Sequence, residues 1–177
     1  MTGAHDLKSY NVLFISSGNA GRSAMAEAIL NRDGGGRFKA FSAGTDPSGE
    51  IHPLAIETLV AEGCSITGLR AKNVSDFLTP DAPKMDFIFT LCDDAAGEIA
   101  PEWPGDPVTA HWGIENPAAV EGSPIARERA FEVTFKYLRN RVRAFAALPL
   151  GTLDRLSLHS HLAEIGRSDE EGQRRAG

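Results

Sequence analysis

Cysteine is scarce in this chain, with two in 177 residues, Cys64 and Cys92. Two thiols build neither a disulfide framework nor a metal quartet, and the five histidines show no ligand spacing. His159 and His161 are two apart on a predicted helix, so they do not share a face. No metal and no cofactor is implied. Positive charge is also in deficit. Lys and Arg number 18 against 24 Asp and Glu, giving a net charge of −6, which argues against nucleic acid or an anionic membrane as partner. No apolar run reaches the ~20 residues needed to cross a bilayer. The opening residues, Met1 to Lys8, lack the apolar core of a secretory signal, so a cytoplasmic protein is expected.

Glycine-rich nucleotide loops of the familiar kinds are missing too. Gly18 and Gly21 are too few for the dinucleotide fingerprint, and no Gly lies five before Gly21 with a Lys following it, as a Walker A loop needs. What residues 11–24 do contain is more telling. Val12 to Ile15 is a continuous apolar run, as in a buried parallel strand. From Ser23 a helix is predicted, with Met25, Ala28 and Ile29 on one side and Asp33-Gly34-Gly35-Gly36 as its stop. Between them lie Ser16, Ser17, Gly18, Asn19, Ala20 and Gly21, small residues whose backbone lets a ligand approach closely. Amides gathered at a helix N-terminus bind phosphate-like anions, and Arg22 adds a planar fork suited to two oxygens of such an ion. On loop composition alone, an ordinary strand-to-helix turn with a surface arginine fits as well.

Strand and helix patterns alternate along the rest of the chain. Phe38 to Ser42 reads as a second strand, Asp86 to Leu91 as a third and Val108 to Ala110 as a short fourth. A helix begins at Pro53, with Leu54, Ile56, Leu59 and Val60 apolar, and ends at Gly63. Thr67 to Ser75 reads as loop, and Ser75 to Leu78 as a short turn. Pro124 opens a long helix to about Ala147 whose stripe of Phe131, Phe135, Leu138, Val142 and Phe145 packs inward. Arg127, Arg129, Lys136, Arg139, Arg141 and Arg143 read as its solvated basic face. Alternation of this kind predicts an α/β fold, a doubly wound parallel sheet of about four strands, with ligands beyond the strand C-termini. The expected organisation is an N-terminal extension over 1–10, one domain over 11–150, a C-terminal helix over 151–166 and a disordered tail over 167–177. Leu153, Leu156, Leu162 and Ile165 of that helix either pack back on the domain or form a homodimer.

Ser16-x5-Arg22-Ser23 after Val-Leu-Phe-Ile resembles the low-molecular-weight protein tyrosine phosphatase loop, Cys-x5-Arg-Ser. The likeness is greatest to the thioredoxin-type arsenate reductases built on that fold. Matching segments follow in order: Phe41 to Thr45, His52 to Ala55, Phe89 to Ala95, Pro101 to Gly105, His111 to Gly113 and Pro117 to Gly122. The resemblance covers roughly residues 11–165. It implies a phosphate or arsenate ligand held by the residues Ser16 to Ser23, and thioredoxin or glutathione as partner if the protein is active.

The departures fall on the chemistry. By the resemblance, Ser16 stands at the nucleophilic cysteine, and no base adjoins it in sequence; a hydroxyl needs one. Cys92 stands at the resolving-cysteine position, but the second cysteine, just before Pro101, is Ala100. A disulfide relay does not run through one thiol. Asn116 stands where the general-acid aspartate is expected, and an amide delivers no proton. Cys64 reads as a small buried apolar residue, and Cys92 either as a structural remnant or as a residual redox group. Three functional readings follow: an oxyanion-binding pseudoenzyme, an active reductase or phosphatase using Ser16 or an external thiol, and an interaction protein with a vestigial pocket.

Overall fold

In the computed structural model, residues 8–92 and 103–168 are described. Four parallel strands, β1 (Tyr10–Ser16), β2 (Phe38–Gly44), β3 (Phe87–Thr90) and β4 (Val108–His111), lie in the order 2-1-3-4. The helices are α1 (Arg22–Asp33), α2 (Pro53–Ala61), α3 (Pro124–Ala146) and α4 (Arg155–Ser168), with 3-10 turns at Val74–Phe77 and Pro117–Ala119. This is the expected α/β sheet. β1 is central, pairing Ser16 with Gly44 of β2 on one side and Ile15 with Thr90 of β3 on the other.

Successive strand residues face opposite sides, and both sides of β1 are buried, which explains its unbroken apolar run. Val12 and Phe14 join the larger core with Met25, Ile29, Phe89, Trp112, Phe135 and Phe145. Leu13 and Ile15 join a smaller one with Ala43, Phe77, Met85, Ile88 and Cys92. Trp112, fully buried, stacks on Phe89 at 3.9 Å between ring centres, and its Nε1 donates to the Leu162 carbonyl at 2.9 Å. Through that bond and the burial of Leu158 and Leu162, α4 packs back against the end of the sheet.

Several expectations need correction. Arg141 is not on a solvated face. It is 1% exposed, because Trp112 and Gly113 offer its guanidinium two carbonyls inside the fold. Val60 and Leu156 are exposed at 57% and 77% rather than turned into their helices' apolar sides. The C-terminal helix starts at Arg155, not 151, since Asp154 caps it by accepting from the Ser157 amide at 2.7 Å. It also takes in Arg167 and Ser168, which the sequence pattern places in the tail. The rest of that tail, residues 1–7 and Ala100 lie outside the described residues. Among the described residues, no helix is long and apolar enough to cross a membrane, and no group of three or more His, Cys, Asp or Glu is placed to hold a metal.

Candidate functional site

Residues 16–21 leave the C-terminal end of the central strand and turn into α1. Four of their six carbonyls are held on one side by the 45–52 segment. Ser16 accepts from the Thr45 amide at 3.3 Å, Ser17 from Asp46 at 2.8 Å, Gly18 from Ser48 at 3.0 Å and Ala20 from His52 at 2.7 Å. In a planar trans peptide the next N–H points opposite to the carbonyl. The amides of Ser17, Gly18, Asn19 and Gly21 therefore point away from the 45–52 segment and toward the inside of the loop. Among the described residues, none of these four finds a protein acceptor. The turn needs a left-handed residue at Asn19 (φ 50°), a conformation asparagine tolerates better than most side chains.

Ser16 sits 2% exposed at the floor, its Oγ 2.6 Å from Ser23 Oγ. Behind this pair runs a buried polar network. Asn19 Nδ2 donates to Ser23 Oγ at 2.8 Å and to Ser42 Oγ at 3.0 Å, and Asn19 Oδ1 accepts from the Lys72 amide at 2.8 Å. Ser42 in turn donates to Glu27 Oε1 at 2.8 Å, where Lys72 Nζ lies 3.6 Å away. Ser23 Oγ thus accepts from Asn19, and either hydroxyl of the Ser16–Ser23 pair can donate to the other. The network thus ends on the Ser16–Ser23 hydroxyl pair. It does not carry a proton from there to Glu27, since the Asn19 amide donates in both directions. Among the described residues, no carboxylate or imidazole hydrogen-bonds Ser16.

The remaining candidates lie around this loop. Arg22 opens α1, and its Nη1 donates to the Ile114 carbonyl at 3.0 Å. One arm of the expected fork is therefore committed to protein, and that bond draws the segment after β4 to the loop. Asn116, two residues further on, caps the Pro117–Ala119 turn by accepting from the Ala118 amide at 3.1 Å. Cys92 is buried, with Sγ 3.4 Å from Ser17 Oγ, while Cys64 is buried elsewhere, and burial pushes its thiol pKa up. Glu27, Ser42, Lys72 and Ile114 also take part in the site, beyond the residues the sequence points to. Ser42 carried a signal in its matching segment; the others carried none.

Gly44 is required by close approach. A Cβ there would stand 2.6 Å from the Ser17 carbonyl oxygen and 3.1 Å from the Asn19 amide nitrogen. Gly44→Ala should cost about 1–3 kcal/mol of stability by overpacking and displace the loop. Thermal melting and anion titration would check both.

His52 ties the loop to α2. Its amide holds the Ala20 carbonyl, its Nδ1 accepts from the Leu54 amide at 3.1 Å, and its ring lies 4.7 Å from that of Phe131. Burial, and then the neighbouring Arg127, hold its pKa below the ordinary histidine value. Folding therefore favours the neutral ring. Its contribution is present in full above the unfolded pKa of ~6.5 and is lost as pH falls from there through the lower folded value. His52→Asn keeps a capping acceptor without titrating, so it should flatten the decline in urea midpoint between about pH 7 and pH 5.

Both the sequence and the fold are similar to those of known proteins. The family model described as low molecular weight phosphotyrosine protein phosphatase matches residues 11–156. The arsenate reductase of Bacillus licheniformis is 30% identical over 136 residues, covering 76% of this chain and 94% of that protein. Arsenate reductase 1 of Staphylococcus saprophyticus is 34% identical over 119 residues, covering 67% and 86%. Among solved structures, an arsenate reductase in the phosphate binding state superposes with a TM-score of 0.62 at 25% identity, covering 78% of this chain and 97% of that one. With the family match running from the central strand into α4, this chain belongs to the low molecular weight phosphotyrosine protein phosphatase family.

Proposed function

We propose that this protein binds a tetrahedral oxyanion, phosphate or arsenate, in the loop Ser16–Ser23, and that its turnover is impaired. The observation that carries the reading is the direction of the loop peptides. Four carbonyls are fastened outward on the 45–52 segment, so amides converge above the buried Ser16 hydroxyl. Aligned N–H groups at a helix N-terminus, with Arg22 beside them, supply positive potential locally in a chain whose net charge is −6. The same geometry supports impairment. Ser16, at the nucleophile position, has no base within hydrogen-bond reach among the described residues, and Asn116, at the general-acid position, has no proton to give. Ala100 removes the second relay thiol.

Titration calorimetry with phosphate and arsenate tests the binding. Arg22→Ala should weaken it by about 10- to 100-fold, the value of a charge-assisted contact. Absence of heat for both ions with the natural protein overturns the reading. A second reading, a reductase that borrows a thiol from thioredoxin or glutathione, draws on Cys92 beside Ser17 at the loop. Arsenate reduction that disappears in Cys92→Ser would favour it.

A further inference from the structure

We infer that Arg141 is a positioning residue for the anion loop, acting through the backbone of residues 112–114 to set the orientation of Arg22. The inference rests on the oxyanion reading above. Three successive carbonyls after β4 are taken by two guanidinium groups from different helices. Arg141 Nη1, from α3, donates to the Trp112 carbonyl at 3.0 Å and to the Gly113 carbonyl at 3.1 Å. Arg22 Nη1, from α1, takes the next one, Ile114, at 3.0 Å. The amides of this short stretch are fastened to β3 and its exit, Trp112 to the Thr90 carbonyl at 2.7 Å and Ile114 to the Leu91 carbonyl at 3.0 Å. Both edges of the stretch are thus held, and its last carbonyl is the one that meets Arg22.

An arginine 1% exposed is unusual, because removing a cation from water carries a desolvation penalty that only well-placed acceptors offset. Filling the same space with an apolar side chain would satisfy packing alone. What an apolar residue does not do is hold the 112 and 113 carbonyls in fixed directions, and the peptide that follows them orients the Ile114 carbonyl. Arg141 therefore determines where Arg22 finds its anchor, and through it where the guanidinium sits beside the loop amides.

The test combines phosphate titration with 1H–15N signals of the arginine side chains in the full-length protein. Arg141→Met should weaken inorganic phosphate by about 10-fold in the natural background, and by less than about 2-fold when Arg22 is already alanine. In the ligand-free Arg141→Met protein, the Arg22 guanidinium signals should broaden or shift. An equal loss in both backgrounds, or unchanged Arg22 signals and affinity, overturns the inference. If Arg141→Met does not fold, the natural protein decides. Phosphate should move the Arg141 signals together with those of Arg22, and movement of Arg22 alone overturns the coupling. If the natural protein binds no phosphate, the oxyanion reading fails by itself, and the ligand-free Arg22 signals still settle whether Arg141 positions it.

Discussion

Exchanging Ser16 for cysteine should weaken phosphate binding at neutral pH by about 5-fold to 10³-fold. The cause is charge at the floor of the loop. Position 16 ends a buried hydrogen-bond network that runs through the Ser23 hydroxyl to the Asn19 amide. At a helix N-terminus a thiol's pKa falls to roughly 3.5–7.5, so the introduced group would carry thiolate charge at pH 7. A thiolate ~4 Å from a singly charged bound anion repels it by ~1 kcal/mol in water-like surroundings and ~4 kcal/mol at an effective dielectric of 20. The neutral Ser16 hydroxyl carries no such term. Calorimetry on the two proteins in one buffer reads the difference directly, and tighter binding by Ser16→Cys would refute the electrostatic account. The gap should narrow as pH is lowered through the thiol's pKa, because the thiol form is neutral again.

Placing a proton donor at position 116 should have a large effect on rate. In the Ser16→Cys background, adding Asn116→Asp should raise phosphate-ester hydrolysis by about 10²- to 10⁴-fold, the usual contribution of a general acid. The backbone is ready for it. Asn116 uses one oxygen to cap the Ala118 amide, a bond an aspartate keeps while its second oxygen carries the proton. The bond from Arg22 to Ile114 keeps this segment at the loop. Hydrolysis of a chromogenic phosphate ester by the single and double variants is the measurement. Equal rates would mean that position 116 does not reach the leaving group. Substantial turnover by the natural protein, abolished in Arg22→Ala, would mean that Ser16 is an active nucleophile and that impairment is the wrong conclusion.

Much of the architecture was legible in short-range pattern. The run Val12 to Ile15 is apolar on both faces because β1 is central and buried on both sides, and a sequence displays that directly. The stripe from Phe131 to Phe145 on α3 is buried at every position expected. Ser16 to Gly21 is recognisable as a loop between strand and helix because small residues break two strong periodicities in succession. Charge was a poorer guide. A helical pattern records which residues are polar, not whether carbonyls wait for them, so Arg141 was read as solvated when Trp112 and Gly113 hold it inside.

The amino-acid sequence by itself determined the elements, their order, the loop that joins β1 to α1, and the residue types standing at positions 16, 22, 92, 100 and 116. These depend on neighbours within a few residues, where periodicity and turn chemistry act. Tertiary structure alone decided that the loop carbonyls face out and its amides in, that Asn19 links Ser23 to Ser42 and Glu27, and that Arg22 leans on Ile114. The last contact joins residues 92 positions apart. Such contacts arise when the parallel sheet brings separate strand ends to one edge, and no local pattern of side chains encodes the direction of a peptide bond that is fixed by a segment thirty residues away.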